Sequence, residues 1–147
     1  MTQQNAVTIV MVEDDEGHAR LIEKNIRRAG VSNEIVHFPA GGPAIEYLVA
    51  VGDGDTGGHG GAYLVLLDLN LPDMSGIDIL KRIKAHDGLR RMPVVVLTTT
   101  DDKTEIQRCY DLGCNVYITK PVNYENFADA IRQLGLFFMV MQVPETT

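Results

Sequence analysis

Short apolar runs that end in a carboxylate, a hydroxyl or an ammonium recur along this chain. Ile9-Val10-Met11-Val12 runs into Glu13-Asp14-Asp15, Leu64-Val65-Leu66-Leu67 into Asp68, and Val94-Val95-Val96-Leu97 into Thr98. Such runs lack the polar alternation of a half-exposed strand, which is the pattern of parallel strands covered on both faces. Between them the period lengthens to that of amphipathic helices. A strand of about Thr8 to Val12 leads to a helix of about Gly17 to Ala29, in which Leu21, Ile22 and Ile26 repeat at helical spacing and Gly30 stands just past the end. A strand of about Glu34 to Phe38 and a helix of about Gly42 to Val51 follow. Next come a strand from Tyr63 to Asp68, a turn from Pro72 to Gly76, and a helix of about Ile77 to His86 with Ile79, Leu80 and Ile83 as its apolar stripe. A strand of about Pro93 to Thr98, a helix of about Lys103 to Leu112 stopped by Gly113, and a strand from Asn115 to Thr119 complete the alternation. Asn123 opens a last helix, with Phe127, Ile131, Leu134 and Phe138 along one face.

Five strand-helix units predict an α/β fold, a parallel sheet with helices on both faces. At 147 residues and 45% hydrophobic, the chain suits one domain with a real core and little left over for a second. The formal net charge of −7 argues against direct nucleic-acid binding, because no basic stripe with interleaved aromatics offsets it. Lys81, Arg82 and Lys84, with Arg90 and Arg91, read as a solvated helix face and its loop, or as a dock for an acidic partner. Met1 to Ala6 is polar and forms no secretory leader, so the expected location is cytoplasmic. The apolar stretch from Leu136 to Met141 is far shorter than the roughly 20 residues that cross a bilayer. Cys109 and Cys114 have no partners at zinc spacing and read as buried, reduced thiols.

Two motif matches fail on context. Gly52 to Gly57 spells G-x-G-x-x-G, but it follows a helix and precedes a strand, where a dinucleotide fingerprint requires the reverse. Asp53 and Asp55 do not open a calcium loop, since the twelfth position is Leu64 where a bidentate Glu is needed. The segment reads as a glycine-rich surface insertion.

The strand ends carry the chemistry. In a parallel sheet they share one edge, which gathers Glu13, Asp14 and Asp68 with Thr98 and Lys120. Three clustered carboxylates repel, so either one keeps a proton or a divalent cation neutralises them. Hard oxygen ligands favour Mg2+, held by one or two carboxylates plus a phosphate oxygen rather than by an all-protein cage. Asp68, ending the central strand, is the candidate nucleophile toward phosphorus. Asp14 is the expected direct metal ligand, Glu13 acts through water, and Asp15 caps the first helix. Thr98, Thr99 and Thr100 ensure that a hydroxyl reaches the crevice.

Glu13-Asp14, Asp68 within Leu-Asp-Leu-Asn-Leu-Pro-Asp-Met-Ser-Gly, Thr98 and Lys120-Pro121 together resemble the response-regulator receiver domain, the family that includes CheY. The resemblance covers about residues 7–136 and implies a doubly wound, flavodoxin-like sheet in the order 2-1-3-4-5. It implies phosphorylation of Asp68 and a Mg2+ site made by Glu13, Asp14, Asp68 and the carbonyl of Asn70. Thr98 and Lys120 would then bind the phosphoryl group, and Tyr117 would be the aromatic switch. The activity implied is acceptance of a phosphoryl group from a sensor histidine kinase in a two-component phosphorelay. Output would pass through the face formed by the fourth helix, the fifth strand and the last helix. The protein would catalyse only its own phosphorylation and dephosphorylation.

The chain departs from the family pattern in three places. Thr99 stands where receivers carry a small residue, and Asn70 and Thr100 flank the path of the attacking water, so all three bear on dephosphorylation. Only Phe137 to Thr147 follows the receiver, so no output domain is expected and the signal leaves through an unknown downstream protein. The glycine insertion and apolar extension are similar to stand-alone regulators paired with bacterial phytochrome kinases. Phe137 to Met141 cannot all face inward from one helix, which leads to the expectation of a homodimer through the last helix and residues 137–147. Two other readings are an unphosphorylated receiver-like binding module and an aspartate-nucleophile phosphatase. The phosphatase normally shows a second aspartate where this chain has Asn70.

Overall fold

The computed structural model describes residues 7–54, 62–99 and 101–120, together with residues 123, 125, 126, 128 and 129. The expectations for residues 55–61 of the glycine-rich insertion, Thr100, Pro121, the apolar stripe of the last helix and the extension fall outside these residues, while Gly52 ends α2 and Asp53 and Gly54 follow it. The elements are β1 (Val7–Val12), α1 (Glu16–Arg28), β2 (Ile35–Phe38), α2 (Gly41–Gly52), β3 (Ala62–Asp68), α3 (Gly76–Ala85), β4 (Val94–Thr98), α4 (Lys103–Asp111) and β5 (Val116–Thr119). The five strands form one parallel sheet in the order β2-β1-β3-β4-β5, as the resemblance implied.

Alternate residues of each strand serve opposite layers, which is why the strands read as unbroken apolar runs. Ile9, Met11, Leu64, Leu66, Val95, Leu97, Val116 and Ile118 pack with Ala19, Ile22 and Ile26 of α1. Val10, Val12, Val65, Leu67, Val94 and Val96 pack on the other face with Ala44 and Leu48 of α2 and Ile79, Leu80 and Ile83 of α3. Both layers are closely covered, and Ile9, Leu64, Leu66 and Leu67 are each 0% exposed.

Helix ends fall where local chemistry puts them. Asp15 caps α1 by accepting from the His18 N–H at 2.9 Å, so the helix starts one residue earlier than its apolar spacing suggests. Gly30, at φ 90°, follows α1, and the Val31 N–H reaches back to the Ile26 carbonyl. Gly113, at φ 108°, follows α4 in the same way, with the Cys114 N–H on the Cys109 carbonyl. Both are Schellman endings, in which the paired residues also bury their side chains together. Cys109 and Cys114 are therefore free, buried thiols with a packing role, and burial pushes the Cys114 thiol up to about 12. Asn123 and Asn126 exchange side-chain to backbone hydrogen bonds at 2.8 and 3.0 Å, the reciprocal capping pattern expected where the last helix begins.

Among the described residues no helix is long and apolar enough to cross a membrane. The sheet order reverses direction between β1 and β3, and a crevice opens there beyond the carboxyl ends of the strands.

Candidate functional site

Register alone brings the acidic residues together. Val12 lies opposite Leu67, so Glu13 and Asp68 emerge side by side, and Asp68 lies opposite Leu97, next to Thr98. Thr98 lies opposite Thr119, and the Lys120 N–H donates to the Thr98 carbonyl at 2.8 Å, which delivers the lysine from the far strand. The resulting crevice, about 200 Å³, is lined by Glu13, Asp14, Asp15, His18, Asp68, Asn70, Thr99 and Lys120.

Glu13 and Asp68 are buried, at 1% and 4% exposure, whereas Asp14 is exposed at the mouth. Carboxylate oxygens of the three lie within 4.8 Å of one another, close enough to share one cation. The all-oxygen donor set fits a hard divalent ion. Burial and the neighbouring Glu13 charge hold the Asp68 carboxyl above its ordinary 3.8, and Lys120 offsets part of this. The lysine already has partners in the crevice. Its ammonium lies 2.5 Å from Glu13 Oε1 and 3.4 Å from Asp68 Oδ2, and its side chain is 6% exposed. It is a third way of relieving carboxylate repulsion, beside the proton and the metal that the sequence suggested.

Thr98 is fully buried, and its hydroxyl accepts from the Asn70 side-chain amide at 3.4 Å. Thr99, exposed, is the threonine that lines the crevice. The Asn70 N–H donates to Asp68 Oδ1 at 3.3 Å and fixes one carboxylate oxygen. Tyr117 is half-buried on β5, its hydroxyl pushed up to about 12 chiefly by burial, and its backbone N–H donates to the Tyr110 hydroxyl of α4. Thr100 lies outside the described residues.

Three contributors escaped the sequence. His18, in the first turn of α1, places Nδ1 3.2 Å from the Lys120 ammonium. His37 of β2 donates from Nε2 to the Glu13 carbonyl at 2.7 Å and pins the backbone of the buried glutamate. Asp73 accepts from the N–H groups of Gly41 and Gly42 at 2.8 Å each. The residue preceding α2 is Ala40, which has no capping side chain, so the loop after β3 supplies the missing acceptor. Those two N–H groups hold the Asp73 carboxyl below its ordinary range. Spacing carried no signal for these residues, because each acts on a partner that only the sheet order brings near. Gly76 keeps the same loop closed, since a Cβ there would collide with the Asp68 carbonyl and lie 2.7 Å from Leu69 Cα.

A carboxyl raised in the folded state binds its proton more tightly there than when unfolded, so stability falls as pH rises above 3.8 through its folded value. Asp68→Asn should therefore raise the melting temperature of the metal-free protein at pH 7 by a few degrees, roughly what 1 kcal/mol moves in a chain of this size. The gap should close toward pH 4. Thermal unfolding in a chelator across pH measures it, and an unchanged or lowered melting temperature at pH 7 would contradict the assigned repulsion.

The chain matches the response regulator receiver domain over residues 9–132. A solved response regulator receiver domain from Rhodospirillum rubrum is 70% identical, covering 95% of this chain and 99% of that one, with a TM-score of 0.74. The bacteriophytochrome response regulator RtBRR is 34% identical over 95% of this chain and 84% of its own, with a TM-score of 0.81. Response regulator Rcp1 from Synechocystis is 30% identical over 89% of this chain and 88% of its own length. A solved form of Rcp1 is bound to Mn2+ and has a TM-score of 0.69 to this chain. Sheet order, the acidic edge and these relatives agree, and the chain belongs to the response regulator receiver domain family.

Proposed function

We propose that this protein is a single-domain response regulator that accepts a phosphoryl group from a sensor histidine kinase onto Asp68. The observation that carries the proposal is the company Asp68 keeps: a buried carboxylate ending β3, with Glu13 and Asp14 within 4.8 Å and the Lys120 ammonium at 3.4 Å. One Asp68 oxygen attacks phosphorus, the bond from phosphorus to the donor imidazole breaks, and the imidazole nitrogen takes up a proton as it leaves. Asp14, Asp68 and the Asn70 carbonyl, with Glu13 behind them, would hold Mg2+, which would supply charge neutralisation for the phosphoryl oxygens. The Mn2+-bound form of the relative Rcp1 supports a divalent ion at such a site.

Lys120 already faces Asp68 and needs only to turn an N–H toward the arriving phosphoryl oxygen. The Thr98 hydroxyl donates to another oxygen once the Asn70 amide releases it. Movement of Thr98 makes room for Tyr117, which reports the change to α4 through the Tyr110 contact, and the signal leaves by the face of α4, β5 and the last helix. Asn70, Thr99 and Thr100 set the access of water and hence the lifetime of the phosphoryl group. The protein works in the cytoplasm and catalyses only its own phosphorylation and dephosphorylation. Its phytochrome-associated relatives support a bacteriophytochrome as the kinase.

Acetyl phosphate with Mg2+ should add one phosphoryl group to the intact mass, and Asp68→Asn should add none while remaining folded. Labelling of the asparagine variant would refute the assigned acceptor. Lys120→Ala should slow labelling about a hundredfold, the scale for losing one preorganised donor at developing charge. A wild-type rate would contradict its role. A homodimer through the last helix and residues 137–147 is also proposed, and it should give twice the monomer mass by light scattering at micromolar concentration. A monomer with and without a phosphoryl analogue would overturn it.

A further inference from the structure

We infer that His18 is a positioning residue for phosphoryl transfer, the acceptor that orients the Lys120 ammonium toward Asp68; this inference rests on the phosphoryl-transfer reading above. An ammonium has three N–H donors and accepts nothing. Around Lys120 Nζ stand three acceptors: Glu13 Oε1 at 2.5 Å, His18 Nδ1 at 3.2 Å and Asp68 Oδ2 at 3.4 Å. With only 6% of the lysine side chain exposed, solvent is a poor substitute for any of them. Because the ammonium only donates, Nδ1 accepts and the imidazole proton sits on Nε2.

The three partners are not equivalent. Glu13 and Asp68 belong to the charged cluster whose contacts must change when a cation and a phosphoryl group arrive. His18 carries no carboxylate and takes no part in bond making, so its hold on one N–H persists through the reaction. Glu13 pulls the ammonium with a full negative charge at 2.5 Å, away from the farther Asp68. A second acceptor on the ammonium restricts rotation about the Cε–Nζ bond and keeps a donor aimed at the oxygen where charge develops. The imidazole is built to stay there. Its backbone N–H is tied to the Asp15 cap at 2.9 Å, and its ring lines the crevice rather than pointing away along α1. The ring also lies 3.7 Å from Glu13 Oε2, which is contact without a shared proton.

A purely structural role predicts something different, because 45% of the His18 side chain is exposed and an apolar side chain of similar size can cover the same surface. The test uses the full chain with His18→Leu, which keeps bulk and loses the acceptor, and His18→Asn, whose Oδ1 restores an acceptor at the Nδ1 position. Labelling by acetyl phosphate at saturating Mg2+, followed against donor concentration, separates maximal rate from KM. His18→Leu should lower the maximal rate about tenfold, with KM and the calorimetric Mg2+ affinity within about twofold of wild type. His18→Asn should recover to within about threefold of wild type. In the metal-free protein, the Lys120 ammonium protons should exchange faster with water in His18→Leu than in wild type by 1H–15N correlation. A wild-type maximal rate in His18→Leu, or an asparagine variant as slow as the leucine one, would overturn the role while leaving the phosphoryl-transfer reading intact. A wild-type chain that Mg2+ and acetyl phosphate fail to label would overturn both.

Discussion

The Lys120 ammonium is what allows two buried carboxylates, Glu13 and Asp68, to share one edge of a parallel sheet. Two unit charges about 4 Å apart interact by roughly 4 kcal/mol at the effective dielectric of a protein near its surface. Attraction to the lysine and repulsion between the carboxylates are thus of similar size, and burial decides the balance. The Asp68 carboxyl accordingly stays above its ordinary value even with the lysine beside it. That residual cost is useful. A site left with surplus negative charge, an exposed third carboxylate at its mouth and room for a small ion is prepared to gain a divalent cation.

The rest of the fold serves this arrangement. Parallel pairing puts every strand's carboxyl end on the same side, and the reversal between β1 and β3 keeps a helix from covering the ends of those two strands. Lys120 reaches the site because β5 pairs with β4 and its backbone N–H is anchored on Thr98. The loop after β3 is closed from both sides: Gly76 lets it pass close to the Asp68 carbonyl, and Asp73 ties it to the start of α2. A change at Asp68 therefore meets a stiff surround toward α2. Toward β4 and β5 the contacts are longer: the Asn70 amide donates to the Thr98 hydroxyl at 3.4 Å, and the Tyr117 backbone N–H to the Tyr110 hydroxyl at 3.2 Å.

Much of this was legible in the sequence because fold and chemistry use separate signals here. Double-sided burial turned strands into unbroken apolar runs, and each run announced its own end with a charged or hydroxyl residue. Gly30, Gly113, Asp15 and Asn123 marked helix ends through local rules that need no tertiary context. The residues that spacing missed all act across the fold. Asp73 sits in an ordinary turn and becomes a cap only because α2 starts with Ala40 beside it. His18 and His37 look like polar positions on a helix and an edge strand, and their partners, Lys120 and Glu13, lie 102 and 24 residues away. The bridging of Glu13 by Lys120 was likewise hidden, since the sequence placed both at one edge but said nothing of which groups would pair.

Surplus charge at one edge of the sheet, relieved by one cation, is the property on which this site depends. Titration of Mg2+ into the chelator-stripped protein by calorimetry, in wild type and in Asp14→Asn, reads that directly. One ion per chain in wild type, with affinity largely lost in Asp14→Asn, is the predicted result. Undetectable binding in wild type, or binding that Asp14→Asn leaves unchanged, would contradict it.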